Sequence, residues 1–226
     1  MPQDKNPENT KNPEEFAVLR KVANWKELYF YKKAKALFLL TYIFCERFLP
    51  AHGDRTVDQM VQAARSGKQN IVEGSEDGKT SKEMELKLLN AARGSLQELR
   101  EDYEDYAHSR GLTIWQPGHR RFDAMLAYCR SHNEYADYEP FARRWTAEEF
   151  CNAALTLCRM SDKMMSSYID KLEREFVSQG GIRERMYAAR SGYRRAQDEA
   201  LRAENAALRA ENDALKAELE RLKGKA

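Results

Sequence analysis

Two consecutive stretches of the chain, residues 54–74 and 80–106, carry apolar residues at helical spacing. A helix with a single apolar stripe cannot bury that stripe alone, so each of these helices needs helical partners. The stretches on either side supply them, and the pattern predicts an all-α fold: an antiparallel four-helix bundle with a C-terminal helical extension and coiled coil. The predicted inward positions are Val57, Met60, Val61, Ala64 and Ile71 in the first stretch, and Met84, Leu88, Ala91, Ala92, Ser95, Leu99 and Tyr106 in the second.

The preceding bundle helix is predicted over residues 24–48, because Pro50 cannot continue it. Its apolar face is predicted to hold Leu28, Tyr31, Phe38, Cys45 and Leu49. Several lysines near its start are able to meet phosphate, although a solvated helix face explains them more simply. These lysines are Lys26, Lys32, Lys33 and Lys35.

Capping residues and glycines mark the other helix ends. Asp54 is suited to cap the second helix and Gly74 to end it. A capping box at residues 80–83 begins the third helix, which Gly111 stops. Gly94 inside that helix costs about 1 kcal/mol relative to alanine, which predicts a close approach of another helix there. A second capping box, at residues 146–149, begins the fourth helix, and residues 179–181 close it. Its predicted inward face holds Phe150, Ala154, Leu157, Ser161, Met164, Tyr168 and Leu172.

Residues 110–145 interrupt the pattern and are predicted to be an irregular insertion. A turn at residues 116–118 precedes a possible short helix over residues 120–129, and residues 133–140 are expected to be irregular. His119 with Arg120 and Arg121 suits either an anion site or an exposed basic loop. The chain is thus divided into a disordered or irregular lead (1–23), the bundle (24–179), a basic suffix helix (180–197) and a leucine-zipper-like coiled coil (198–226).

Composition excludes little by itself. The 226 residues include 38 Lys and Arg against 36 Asp and Glu, so the net charge of +2 argues neither for nor against a nucleic-acid partner. The longest apolar run, residues 36–45, is about half of what a membrane span needs, and the polar N-terminus lacks a signal-peptide core. We therefore expect a cytoplasmic protein without a membrane partner. The four cysteines suggest buried thiols more than zinc ligands.

The densest basic patch follows the bundle. Arg183, Arg190 and Arg194 form one row on the suffix helix, with Arg185 nearby and an apolar strip beside them. Arginine with neighbouring tyrosines suits contact with phosphates and bases, whereas the alternative is pairing with acidic residues of the bundle.

Leucines recur every seven residues in the last segment, at position d of a heptad. Glutamates at g and cations at e complement each other only in a parallel, in-register pair, and asparagine at a favours two strands. The alternatives are a single solvated helix or a basic-region zipper for DNA. An interruption of the helix at Gly192 and the lack of a dense base-reading cluster on one continuous helix argue against the zipper for DNA. The predicted interface residues are Leu201, Asn205, Leu208, Asn212, Leu215, Leu219 and Leu222.

Several segments resemble bacterial four-helix-bundle proteins, a family that includes proteins encoded within intervening sequences of 23S ribosomal RNA and the accessory protein of diversity-generating retroelements. The segments are residues 31–34, 62–75 and 92–99, of which the sequence Asn70-Ile71-Val72-Glu73-Gly74 is the most specific. Residues 111–115 and 180–186 further resemble the variant with a four-helix suffix extension.

The resemblance implies a homopentameric ring of bundles and, for the retroelement protein, a basic surface that engages a reverse transcriptase and RNA. The family-matched candidates for phosphate contact are Arg65, Lys68 and Arg93. The leading hypothesis is a non-enzymatic oligomeric scaffold that contacts RNA, DNA or a nucleic-acid enzyme. The alternative is a protein-binding adaptor clustered by its coiled coil. An enzyme is disfavoured, since no Gly-rich phosphate loop, Ser-His-Asp set or metal motif occurs in the sequence, and no cofactor or metal is expected.

Overall fold

The computed structural model describes residues 18–19, 24–50 and 55–224, and this part of the chain is helical without a β-strand. The all-α class is thereby confirmed. A 3-10 turn, Trp25–Glu27, precedes seven α-helices. They are α1 (Tyr29–Phe48), α2 (Arg55–Asp77), α3 (Lys82–Ser109), α4 (Arg120–Ser131), α5 (Tyr135–Ala142), α6 (Ala147–Gln179) and α7 (Ile182–Lys223). The predicted disordered lead lies outside the described residues except for 18–19, as does the predicted cap at Asp54.

Helices α1 to α6 belong to one compact unit, which spans residues 20–181. Its four long helices contact one another in the cyclic order α1, α2, α3, α6. The two helices of each neighbouring pair run in opposite directions, as the contacts between them show. For example, the ring of Phe30 in α1 meets Tyr168 in α6, and Phe44 further along α1 meets Phe150 near the start of α6. We interpret these contacts as an antiparallel four-helix arrangement with its core between the four helices.

The apolar face of α1 is rotated from the predicted one. Its fully buried positions include Phe30, Leu37 and Phe44, whereas the predicted Tyr31 and Phe38 are only half-buried. The start of α1 was also predicted too early, because Trp25–Glu27 forms a separate turn with Asn24 as its cap. The lysines near the start of α1 were predicted to lie on a solvated face, but Lys33 is buried completely.

Two glycines bring α2 and α3 close together. Gly74 was expected to end α2, but the helix continues to Asp77 and Gly74 is buried inside it. A Cβ on Gly67 would lie 2.6 Å from Cδ2 of Leu96, and one on Gly74 would lie 3.2 Å from Cβ of Leu88. The close approach predicted at Gly94 is wrong, because that glycine faces open space.

The start and the inward face of α3 also differ from the prediction. Ser81, rather than Thr80, caps the helix, and its hydroxyl oxygen accepts from the backbone N–H of Met84 at 3.1 Å. Met84 and Ala91 were expected to face inward but are exposed. The predicted Ala92 and Leu99 are buried, and the other buried positions of α3 are Lys82, Glu85, Leu89, Leu96, Tyr103 and Ala107.

The segment between α3 and α6 is more regular than expected. The short helix predicted over residues 120–129 is confirmed as α4, but the irregular structure predicted over residues 133–140 is wrong. A reciprocal capping box between Glu134 and Asp137 begins α5 there. Both helices end against cations from α1. The ammonium of Lys33 donates to the carbonyl oxygens of Cys129 in the last turn of α4 and of His132 just after it. The guanidinium of Arg47 donates to the carbonyl oxygens of Ala142, the last residue of α5, and of Trp145.

Helix α6 follows its prediction closely. The capping box joins Thr146 to Glu149, the predicted inward face is buried or half-buried, and Gly180 ends the helix with φ +68°. All four cysteines are buried thiols, which confirms their predicted core location. Burial raises the pKa of Cys129 to about 11 and that of Cys151 and Cys158 to about 12, so these thiols are poor nucleophiles.

Helix α7 belongs to a second compact unit. The sequence predicts a break at Gly192, but α7 is one continuous helix of 42 residues that passes through it. The basic segment and the leucine repeat therefore lie on the same rod. All residues of α7 are among those described, and none of them is buried.

Candidate nucleic-acid interface

The first half of α7 presents a row of arginines. Arg183, Arg190 and Arg194 are all exposed, and their spacing of seven and four residues keeps them on one face over about 16 Å of helix. Arg185 is half-buried and lies off this row. Two exposed tyrosines, Tyr187 and Tyr193, occupy the same segment. We call Arg183, Arg190 and Arg194 the arginine row; it can contact successive phosphates along a nucleic-acid backbone.

The second half of α7 presents an apolar stripe. Leu201, Leu208, Leu215, Leu219 and Leu222 are between 53% and 64% exposed, although large apolar side chains at heptad spacing are normally covered by a second helix. Asn205 donates its side-chain amide to the carbonyl oxygen of Leu201 at 2.9 Å, and the other predicted asparagine, Asn212, is exposed. We call these seven residues, Leu201 to Leu222, the leucine stripe.

The family-matched cations of the bundle have different surroundings. Arg65 is exposed on α2. The ammonium of Lys68 lies 4.5 Å from the ring centroid of Phe38, a cation–π contact that holds this half-buried side chain against α1. Arg93 donates from Nε to Oδ1 of Asp162 at 2.8 Å. Of these three candidates, Arg65 is therefore the one most accessible to phosphate.

An acidic groove between α2 and α3 opposes phosphate binding on that face. It has a volume of about 690 Å³, and its walls include Asp58, Glu98, Glu101, Asp102 and Asp105. Burial, and after it the three neighbouring carboxylates of Asp105, Glu98 and Glu101, raise the pKa of Asp102 to about 6. An approaching polyanion is repelled there.

A second cavity is aromatic and lies between α4, α5 and the start of α6. Its volume is about 290 Å³. We call it the aromatic cleft; its lining residues are Trp115, Arg121, Ala124, Met125, Tyr128, Phe141, Trp145 and Glu149. The rings of Phe141 and Trp145 are nearly parallel, at 16° and 6.3 Å between centroids, and Tyr128 meets Phe141 edge to face.

Hydrogen bonds to α6 fix the back of the aromatic cleft. Asn152, which is almost completely buried, accepts from the backbone N–H of Trp115 at 2.8 Å and donates to the carbonyl oxygen of Thr113. The indole N–H of Trp115 donates to Glu148 at 3.0 Å. This bond is the main reason that the pKa of Glu148 lies below its usual value. Arg121 lies 3.6 Å from the same carboxylate.

The sequence pattern does not reveal the aromatic cleft, because it predicts residues 133–140 to be irregular. Only a helix over that segment places Phe141 beside Trp145, four residues later and past the end of α5. The Glu134–Asp137 capping box was the available signal. His119 and Arg121, considered as an anion site, instead pack on Trp115, with the His119 ring stacked at 5.9 Å.

Other site chemistries find little support in the described ranges. There, no group of three or more His, Cys, Asp or Glu side chains is placed to hold a metal ion. The helices of these ranges also lack an apolar stretch long enough to cross a bilayer.

No curated protein and no solved structure gives a significant match to the chain. A protein-family model matches residues 26–113, which is less than half of the chain. The matched segment contains α1, α2 and α3 with the bundle cations Arg65, Lys68 and Arg93, whereas all eight residues that line the aromatic cleft and all of α7 lie beyond it. Over this three-helix segment, the chain is similar to the family described as 23S rRNA-intervening sequence protein.

Proposed function

We propose that this protein is a non-enzymatic, self-associating helical scaffold that contacts nucleic acid. The second half of α7 pairs with α7 of another copy through the leucine stripe. The arginine row on the first half of α7 contacts the phosphate backbone, and Arg65 is the contribution of the bundle.

The observation that carries this proposal is the continuity of α7. One helix bears the arginine row, Arg183, Arg190 and Arg194, and then an exposed leucine stripe. In a parallel pair, Glu204 and Glu211 at g face Arg209 and Lys216 at e of the partner helix, so the charges favour in-register pairing. Parallel pairing sets the arginine rows of two copies at the same end of the coiled coil. It thereby doubles the positive charge that a polyanion meets.

The order of the two segments is also that of a basic-region zipper, in which the cationic segment precedes the leucines. Because Gly192 does not interrupt α7, that glycine no longer argues against the comparison. Three arginines per copy are few for reading bases, and we propose backbone contact with little sequence preference.

The family match supports a nucleic-acid connection without naming a ligand. Its description refers to a sequence within 23S rRNA and names no catalysed reaction. A role beside a reverse transcriptase, and a five-membered ring, remain part of the proposal through the resemblance of the bundle segments alone.

Salt-dependent binding tests the proposal. Short RNA and DNA, single-stranded and duplex, are titrated with the full chain over a series of salt concentrations. We expect binding at low salt that weakens steeply as salt rises, because phosphate contacts release counterions. The double variant Arg190→Gln/Arg194→Gln should reduce the slope of log K against log salt by about 2 for each arginine row engaged.

A matched control removes two positive charges from the bundle instead, as Lys87→Gln/Arg174→Gln. Its binding curves should stay close to those of the unsubstituted chain. Failure of the unsubstituted chain to bind any of the four nucleic acids at low salt would reject the proposal.

A second candidate function is a protein-binding adaptor. The polar residues at position a, namely Asp198, Asn205 and Asn212, weaken a pairing between identical helices and leave the leucine stripe available to a partner helix of another protein. This candidate predicts that charged residues introduced at Leu208 and Leu215 abolish capture of the partner protein. It also predicts that the unsubstituted chain does not bind nucleic acid at low salt.

A further inference from the structure

We infer that the aromatic cleft binds an unpaired nucleobase of a single-stranded nucleic acid. The inference rests on the proposed function, because the ligand is a nucleic acid, but it assigns a separate site that selects single strands over duplexes. The residues that line the cleft lie outside the segment that matches the family model. Some of the contacts that fix the back of the cleft lie inside that segment.

The size of the cleft favours one flat ring system. At about 290 Å³ it lies at the lower end of ligand pockets, roughly 300 to 1,000 Å³. A docked helix needs a long groove for side chains on successive turns, and this cleft is too small for that. Four aromatic rings line it, and the most accessible, Phe141, is 40% exposed. Bases stack on such rings regardless of sequence, because every base has a π face.

The orientation of the rings suits stacking. Phe141 and Trp145 lie within 16° of parallel, so a base that stacks on one ring is aligned with the other. Tyr128 stands edge-on to Phe141 at 82° and closes one side of the cleft. The remaining wall is Trp115, whose indole N–H is already used by Glu148.

The cations at the rim are arginines that lie over the same rings. The guanidinium of Arg121 is 5.7 Å from the centroid of Trp115, and that of Arg144 is 5.8 Å from the centroid of Phe141. All six cations between residues 110 and 145 are arginine rather than lysine. A guanidinium beside a stacked base is well placed to hold the adjoining phosphate, and its plane can also stack on a base.

The carboxylates near the cleft have other partners. Glu149 accepts from the backbone N–H and hydroxyl of Thr146, and Glu148 accepts from Trp115 and Thr113. Arg121 lies 3.6 Å from Glu148 and is partly neutralised by it, whereas Arg144 donates from Nε to the carbonyl oxygen of Pro140, so Arg144 is the rim cation better placed to meet a phosphate.

The cleft is also held in shape before any ligand arrives. The hydroxyl of Tyr128 donates to the carbonyl oxygen of Asp137 at 2.6 Å, which ties α4 to α5. Arg47 donates to the carbonyl oxygens of Ala142 and Trp145, which anchors the end of α5 to α1. A preformed site loses less conformational entropy when a base enters it.

Tryptophan fluorescence of the full chain tests this inference, since two of its three tryptophans, Trp115 and Trp145, line the cleft. The probe is a short oligouridylate, compared with an RNA duplex of the same length at the same salt concentration. We expect the single strand to quench the emission. The variant Phe141→Leu, which keeps an apolar side chain but removes the π face, should weaken single-strand binding on the order of 10-fold. Duplex binding should not change.

Two further variants separate stacking from folding. Phe141→Trp restores an aromatic face and should retain single-strand affinity. Tyr29→Ala removes an exposed aromatic ring that does not line the cleft and should leave the affinity unchanged. Circular dichroism confirms that each variant keeps its helix content.

The outcomes distinguish this inference from the proposed function. Equal single-strand affinity for Phe141→Leu and the unsubstituted chain, with duplex and single strand both bound, overturns the base site alone. Quenching by an acetylated phenylalanine amide but not by the oligouridylate also overturns it, in favour of a peptide ligand. Binding of neither nucleic acid overturns both proposals.

Discussion

Lys33 shows how a single residue can escape a sequence-based assignment. A lysine near the start of an amphipathic helix is normally solvated, yet this side chain is completely buried and donates to carbonyl oxygens at the C-terminal end of α4. Burial lowers the pKa of Lys33, while the carbonyl partners compensate the ammonium. The partner carbonyl of Cys129 is 96 positions away in sequence, which no local pattern reveals.

Removing the Lys33 ammonium should therefore destabilise the protein. We expect Lys33→Ala to lower the free energy of unfolding by about 2 kcal/mol, because the buried carbonyl oxygen of Cys129 loses its donor, that of His132 keeps only the hydroxyl of Tyr138, and a cavity forms. Urea unfolding followed by circular dichroism measures the change. The control is Lys35→Ala, an exposed lysine on the same helix, which should stay within about 0.5 kcal/mol of the unsubstituted chain. Equal midpoints for the two variants would contradict the role assigned to Lys33.

Asp102 predicts a pH dependence of stability. Its folded-state pKa of about 6 is above the value of about 4 expected in the unfolded chain, so the folded state binds this proton more tightly. The stabilisation from protonation is complete below about pH 4 and is lost as the pH rises through about 6. Because the side chain is partly exposed, screening limits the effect to about 1 kcal/mol.

The variant Asp102→Asn tests this effect. It should unfold at a higher urea concentration than the unsubstituted chain at pH 8, and the difference should disappear near pH 4. Asp170→Asn, at an exposed position on α6, serves as the control. A stabilisation by Asp102→Asn of equal size at both pH values would show that charge is not its cause.

At the scale of elements, periodicity located most helices and the buried faces of α2 and α6, but only part of the buried faces of α1 and α3. The long α6 was predicted well because its apolar positions cover both sides from Phe150 to Cys158. On α3, alternative stripes one residue apart are almost equally apolar, and packing selected the one containing Leu89 and Leu96. That choice depends on where α2 has glycine, at Gly67 and Gly74, and thus on a tertiary contact.

A matched pair of glycine substitutions tests this packing. Gly67→Ala places a Cβ 2.6 Å from Leu96, a side chain that is buried and cannot easily move, and should destabilise the protein by about 1–3 kcal/mol. Gly94→Ala adds a methyl group in open space within a helix and should stabilise it by about 0.5–1 kcal/mol. Thermal unfolding of both variants shows whether each substitution lowers or raises the stability of the protein. A destabilised Gly94→Ala, or an unaffected Gly67→Ala, would contradict the packing of α2 on α3.

At the scale of the whole molecule, the sequence is sufficient for the all-α class and for the leucine stripe. The sequence pattern divides the chain into four segments and separates the basic suffix helix from the coiled coil. In the structure, both segments belong to the single helix α7. The cause is Gly192, whose cost of about 1 kcal/mol is small against the propensities of the 41 other residues of α7. The aromatic cleft could not be predicted because it needs three helices, and one of them, α5, was expected to be irregular.

The central claim is that a second copy covers the leucine stripe of α7. Light-scattering mass of the full chain tests it most directly, together with the variant Leu208→Asp/Leu215→Asp at position d and the control Ala207→Asp/Ala214→Asp at position c. We expect the unsubstituted chain and the control to have at least twice the 26.2 kDa mass of one chain, and the d variant to have a clearly lower mass. One common mass for all three proteins, or an unsubstituted chain of 26.2 kDa at micromolar concentration, would contradict the claim.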